Sequence, residues 1–153
     1  VLCISKGLYI LVFEVDRDVC TAVGSLGYVC FSRGIYGYVG SAKGIGGIES
    51  RVKHHLDKYK KKCRWHIDYL TIRDEVKILC IVFSETMDLN EEDIVNEILR
   101  ENCWGIAIRG FGSTDKKTPS HLFKCRCDYS ACIDRLKHVF IGIGLEPHVN
   151  VFM

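Results

Sequence analysis

Proline is nearly absent, with Pro119 and Pro147 the only two in 153 residues, and no low-complexity tract interrupts the chain. Both absences exclude a disordered or linker-like sequence, whose composition cannot bury enough apolar surface to offset the entropy of ordering. Long hydrophobic runs are missing too. The longest, such as Val76 to Phe83, fall far short of the ~20 residues that a membrane-spanning helix needs, so no span is expected. The segment Val1-Leu2-Cys3-Ile4-Ser5-Lys6 lacks a basic stretch leading into an apolar run and lacks a cleavage motif, which predicts no secretion signal. A start at Val1 without methionine is expected of a trimmed fragment. Neither sign of charge is in excess: 21 basic and 19 acidic residues leave a net +2, which alone does not mark a nucleic-acid binder.

Cysteine is the residue present in surplus. Nine occur, at Cys3, Cys20, Cys30, Cys63, Cys80, Cys103, Cys125, Cys127 and Cys132, with no Cys-x-x-Cys pair among them. An odd number, scattered through apolar runs, predicts reduced and buried thiols in a cytoplasmic protein, the exception being a hyperthermophile source. Cys125, Cys127 and His121 lack a fourth partner with zinc spacing, so no zinc site is expected.

A hydrophobic fraction of 48% in 153 residues supports one domain over residues 1–153; a chain of this size buries roughly 70% of its unfolded surface. Leu8 to Val15 reads as a strand from its β-branched and aromatic residues, followed by a polar turn at Asp16 to Asp18. Gly27 to Phe31 and Gly34 to Val39 follow as short strands of an antiparallel meander. Ile48, Val52, Leu56 and Tyr59 fall at helical spacing and predict a helix from about Gly47 to Lys62. Trp65 to Ile72 and Val76 to Phe83 read as strands, the second suited to a sheet centre.

Ser84 or Thr86 then caps a helix whose apolar stripe is Leu89, Ile94, Val95, Ile98 and Leu99, with acids crowding its first turns. Strands are expected at Ile106 to Arg109, Leu122 to Cys127 and, at an edge, Val149 to Met153. A last helix, from about Ser130 to Phe140, sets Cys132, Leu136 and Phe140 on one side. The sum is an α+β fold with a small, mainly antiparallel sheet of three or four strands flanked by helices.

Seven basic residues, Arg51, Lys53, Lys58, Lys60, Lys61, Lys62 and Arg64, stand against the single acid Asp57 between positions 51 and 64. Such a cluster suits phosphate through counterion release, and it equally suits a solvated helix end near its negative dipole pole. The glycines from Gly44 to Gly47 are not followed by Gly-Lys-Ser/Thr and so do not form a nucleotide loop.

The segment Tyr38-Val39-Gly40-Ser41-Ala42-Lys43, followed by Arg51-Val52-Lys53-His54-His55-Leu56, resembles the second half of the GIY-YIG nuclease signature, with Gly7-Leu8-Tyr9 fitting the first half. Trp65-His66-Ile67-Asp68-Tyr69-Leu70, Gly110-Phe111-Gly112-Ser113-Thr114-Asp115 and Ser120-His121-Leu122-Phe123 resemble a largely archaeal branch of that superfamily, whose members occur alone or fused to a base-excision repair endonuclease. The resemblance implies a metal-dependent endonuclease acting on DNA, with Tyr9 or Tyr38 orienting or deprotonating water, Arg51 and His55 on one helix face, and Glu91 binding Mg²⁺ or Mn²⁺. Glu92 and Glu97 are the other candidate carboxylates. Lys43, Lys58, Lys60, Lys61, Lys62 and Arg64 are the candidate nucleic-acid contacts. The competing implication is a binding module that kept the fold and lost the chemistry.

Three departures accompany the match. Almost thirty residues separate Tyr9 from Tyr38, which predicts an inserted strand or hairpin. The Tyr38 to Arg51 stretch is slightly long. Lys116 and Thr118 replace the Cys-x-Cys that usually precedes Ser-His-Leu. Tyr36, two residues before Tyr38, is expected to pack half-buried on the same sheet side, and His66 and Asp68 to share a strand face.

Overall fold

The computed structural model describes residues 5–113 and 117–152. Cys3, the Thr114, Asp115 and Lys116 of the motifs above, and Met153 lie outside the described residues.

The fold is α+β, as expected, and is built on a six-stranded sheet. Its strands are β1 (Gly7–Val15), β4 (Gly34–Ala42), β5 (Val76–Glu85), β6 (Trp104–Ile106), β7 (Leu122–Cys125) and β8 (His148–Val151), in the order β6-β7-β4-β1-β5-β8. Every neighbouring pair is antiparallel. The sheet is wider than the three or four strands expected because the short strands β6, β7 and β8 all pair into it, β6 starting two residues earlier than the Ile106 to Arg109 expected. A separate hairpin of β2 (Val19–Ala22) and β3 (Tyr28–Phe31) fills the interval between Tyr9 and Tyr38, matching the predicted insertion.

β1 pairs with β4 on one side and β5 on the other, and helices cover both faces of the sheet. Alternation along β1 therefore divides the core in two. Tyr9, Leu11, Phe13 and Val15 enter one cluster with Tyr36, Tyr38, Ile48 from α1 (Gly47–Leu56) and Leu70 from α2 (Asp68–Thr71). Leu8, Ile10 and Val12 enter the other, with Ile94, Val95 and Ile98 of α3 (Glu91–Ile98) and Cys132, Leu136 and Phe140 of α4 (Tyr129–Gly142).

Four local expectations need correction. The segment from Trp65 to Ile72 is a turn and the short helix α2, not a strand. Asp68 accepts the backbone N–H groups of Arg64 (2.7 Å) and Trp65 (3.0 Å), a local cap that overrides the strand propensity of its neighbours. Helix α1 stops at Leu56 because Asp57 is extended, leaving Tyr59 almost fully exposed instead of on an apolar stripe. Leu56 is also exposed, and His55 takes its place in the core at 1% exposure. The cap of α3 is Asn90, in a reciprocal box with Asp93, and neither Ser84 nor Thr86 fills that position.

The cysteines differ as well. Cys20–Cys30, Cys103–Cys127 and Cys125–Cys132 are disulfide-bonded, while Cys63 and Cys80 are free. The pairings rest on sheet topology, which brings together cysteines that the linear spacing keeps apart. Tyr36 is fully buried, its ring stacked on Phe13 and its hydroxyl donating to Ser32 O at 2.6 Å.

Gly40 lies opposite Tyr9 in the β1–β4 ladder, and a Cβ there would stand 2.4 Å from the phenol carbon and oxygen. The Tyr9 ring is buried and cannot swing aside. Gly40→Ala is expected to lower stability by ~1–3 kcal/mol in urea unfolding through overpacking, with Gly44→Ala, which meets no atom within 4 Å, as the unaffected control.

Candidate functional site

The site is assembled where β1, β4, α1 and α3 meet. Tyr9 Oη lies 2.8 Å from His55 Nε2. Burial raises the Tyr9 pKa against the lowering influence of the Arg51 charge and side chain, and burial likewise drives His55 down to about 3. The phenol is therefore protonated and donates, and the neutral imidazole accepts at Nε2 and carries its proton on Nδ1. His55 Nδ1 is buried without a hydrogen-bond partner among the described residues. Tyr38 packs edge-on against the His55 ring with centroids 6.3 Å apart, and its phenol is also raised, first by burial and then by Tyr9 and Glu91.

Arg51, one helical turn before His55, lays its guanidinium over the Trp65 ring at 4.3 Å. No carboxylate among the described residues forms an ion pair with it. A groove of about 240 Å³ opens beside it, lined by Gly44, Gly47, Ser50, Arg51, His54 and Arg64.

Glu91 begins α3 and reaches β4 beside Ser41, three residues beyond Tyr38. Ser41 Oγ donates to Glu91 Oε1 at 3.2 Å, and His121 Nδ1 stands 3.2 Å from Oε2 without hydrogen-bond geometry. Of the other candidates, Glu92 is exposed on the rim of the same cleft, and Glu97 packs against Gly142 of α4. The cleft, about 220 Å³, is lined by Asn90, Glu91, Glu92, Lys117, Thr118 and His121. Thr118 Oγ1 and His121 Nδ1 are buried there without a hydrogen-bond partner among the described residues, His121 Nδ1 lying against the Glu91 carboxylate.

Spacing alone does not single out His121. Its signal is the Ser120-His121-Leu122-Phe123 string, and the fold explains the other branch-like strings by the same contact network. Gly112 N donates to His66 Nδ1 at 2.9 Å, His121 N donates to Phe111 O at 2.8 Å, and Gly112, at φ 72°, leaves room for both Tyr38 and His121. His66 and Asp68 do not share a strand face. Asp68 is fully buried, bonded to His54 Nε2 at 2.9 Å. Burial opposes its charge, but the Trp65 N–H, His54 and the Arg64 N–H outweigh that and hold its pKa low.

The basic cluster divides. Lys58 donates to the carbonyls of Thr71, Arg73 and Val76, and Lys60, its side chain 4% exposed, donates to Thr71 Oγ1 at 2.8 Å. Both ammonium groups hold α1 to the turn after α2, and burial lowers the pKa of each. Their amino groups are thus engaged in hydrogen bonds within the chain. Lys43 is tied to the Leu89 carbonyl, beside the α3 cap. Lys61, Lys62 and Arg64 remain exposed.

The chain belongs to the family described as Domain of unknown function DUF123, whose sequence model matches residues 8–142. No curated protein and no solved structure matches it. Among the described residues no helix is long and apolar enough to cross a membrane.

Two outcomes follow from these contacts. His55 has a depressed folded pKa, so the unfolded chain binds more protons and stability rises with pH between about 3 and the ordinary histidine value of 6.5. Urea midpoints measured from roughly pH 5 to 6.5, above the carboxylate range, should climb by up to ~1.4 kcal/mol per pH unit. His55→Gln should flatten most of that slope, leaving the smaller contribution of His66, whose pKa burial also lowers. Lys58→Ala should lower stability by ~1–2 kcal/mol by removing three carbonyl hydrogen bonds, whereas Lys61→Ala should change it by less than ~0.5.

Proposed function

We propose that this domain is a GIY-YIG-type endonuclease that hydrolyses DNA phosphodiester bonds with Mg²⁺ or Mn²⁺, in DNA repair or processing. The observation that carries the reading is convergence: two strand phenols, Arg51, His55 and Glu91 reach one region from four separate elements.

The donors around Glu91 suit a hard cation that keeps most of its waters. One carboxylate and the hydroxyls of Ser41 and Thr118 fit Mg²⁺ better than a softer ion needing several imidazoles or thiolates. Bound there, the ion would polarise a phosphate oxygen and acidify water. Arg51, with no ion-pair partner among the described residues and held flat by Trp65, presents its outer N–H groups to a phosphate oxygen. Tyr9 is buried with its proton directed at His55 Nε2 and its oxygen toward Arg51, so it positions the guanidinium, and Tyr38 is the phenol left to orient the attacking water. Lys61, Lys62 and Arg64 hold the flanking backbone.

A second reading has a specific observation in its favour. Both phenols are raised by burial and His55 is a weak base, so without help neither tyrosine takes a proton at neutral pH. A nucleic-acid-binding module on the same fold would keep the basic groove and lose the cut.

Nicking of plasmid DNA separates the two. Cleavage should require Mg²⁺ or Mn²⁺, should fall at least ~10²-fold in Arg51→Ala and in Glu91→Gln while filter binding persists, and should stop with EDTA. Undiminished cutting by Arg51→Ala or in EDTA would end the enzymatic mechanism; salt-sensitive binding with no cleavage would establish the binding module. In either case Lys61→Ala with Lys62→Ala should lower the slope of log affinity against log salt by ~0.9 for each phosphate no longer neutralised.

A further inference from the structure

Away from this site, the fold draws four cysteines to one point. Cys103 immediately precedes β6, Cys125 ends β7 opposite Trp104, Cys127 lies in the following turn, and Cys132 is buried in the first turns of α4. The Sγ atoms of Cys103, Cys127 and Cys132 all lie within 4.8 Å of one another, and Cys125 Sγ is bonded to that of Cys132. Cys127 and Cys132 are spaced Cys-x₄-Cys, within the usual range for a zinc ligand pair. Tetrahedral Zn²⁺ with Zn–S bonds of about 2.3 Å sets its sulfurs roughly 3.8 Å apart, close to the spacing of the three clustered sulfurs, and Cys125, bonded to Cys132, is the fourth thiol at hand once that bond opens.

Two independent disulfide staples do not require their sulfurs to meet. Cys20–Cys30 shows the ordinary case, a single cross-strand bond on the β2–β3 hairpin outside the sulfur cluster. Around Cys103 two alternative partners, Cys127 and Cys132, stand within 4.8 Å. The site also has a feature that stabilises thiolates, the positive end of α4 beside Cys132.

We infer that Cys103, Cys125, Cys127 and Cys132 form a redox-gated tetrathiolate site for Zn²⁺. In the oxidised chain the four sulfurs close the Cys103–Cys127 and Cys125–Cys132 bonds and cannot bind metal. A dithiol reductant breaks both bonds: two molecules of dithiol supply four electrons and four protons, become two disulfides, and leave four cysteine thiols. Zn²⁺ then displaces the four thiol protons and is held by four thiolates, joining the β6–β7 edge of the sheet to α4. The linear pattern gave no such site because two of its four ligands come from beyond the Cys125-x-Cys127 pair, 22 residues before it and five after it.

The test uses the full chain, reduced anaerobically with a phosphine and titrated with Co²⁺ as a spectroscopic substitute. One equivalent should give a thiolate-to-cobalt charge-transfer band and tetrahedral ligand-field bands, both bleached by one equivalent of Zn²⁺. Zinc should then protect four of the nine cysteines from alkylation, read by peptide mass spectrometry. Cys20→Ser with Cys30→Ser should retain the bands, and the oxidised chain should show none. Cys127→Ser, at an exposed position that tolerates substitution, should lose the tetrathiolate spectrum, as should Cys132→Ser where it folds. Absence of the bands in the reduced wild-type chain, or their survival in Cys127→Ser, would overturn the assignment.

Discussion

A phenol sealed beneath a helix keeps its hydroxyl only if something accepts the proton, and here that acceptor is His55 Nε2, 2.8 Å from Tyr9 Oη. Leaving the hydroxyl unpaired would cost ~1–3 kcal/mol, so the pair fixes how α1 sits on β1. It also demands a glycine at position 40, because the ring lies across the neighbouring strand where any side chain would collide with it. The rotation of α1 that seats His55 also brings Arg51, one turn earlier, to the edge of the same space, where Trp65 holds its guanidinium flat. The tyrosine, glycine, arginine and histidine of the motif are thus consequences of one packing problem as well as parts of a candidate site.

The basic stretch after α1 shows why charge counting along a sequence misleads about surfaces. Lys58 and Lys60 lie between exposed residues, yet their ammonium groups turn inward to carbonyls and a hydroxyl near the end of α2. Those oxygens stand at the end of a four-residue helix that has little capping of its own, and a flexible lysine stem reaches several of them at once. The basic residues that remain exposed are fewer: Lys61, Lys62 and Arg64, of which Arg64 lines the groove that also contains Arg51.

Much of the architecture was legible because β1, β4 and β5 are long enough to show their composition, and because the interval between the two tyrosines announced an insertion. The Trp65 to Ile72 segment misread as a strand because its residue types favour one. What decides it is Asp68, whose carboxylate ties down two preceding N–H groups and His54, and such a contact has no periodic signature. His55 in the core and Leu56 outside reverse the hydropathy order for a similar reason, since a neutral histidine with a buried hydroxyl partner competes with leucine for the interior. The cysteine pairings were beyond reach because they depend on which short strands become neighbours. For the candidate site, residue types and helical phase were visible in the letters, but the position of His121 against Glu91 required the sheet.

β7 runs between the candidate site and the sulfur cluster. His121, next to Glu91, immediately precedes this four-residue strand, and Cys125, among the clustered sulfurs, ends it. Four residues of extended chain span roughly 13 Å, so an anchor at one end constrains the other. A strand this short, lying between β4 and the three-residue edge strand β6, has few ladder bonds of its own to resist fraying. Its register against Tyr36, Gly37 and Tyr38 sets where His121 points, and that register is pinned from beyond the sheet by covalent or ligand bonds from Cys125 and its neighbours to α4. The sulfur chemistry at the far end of β7 is therefore part of what holds the imidazole beside Glu91.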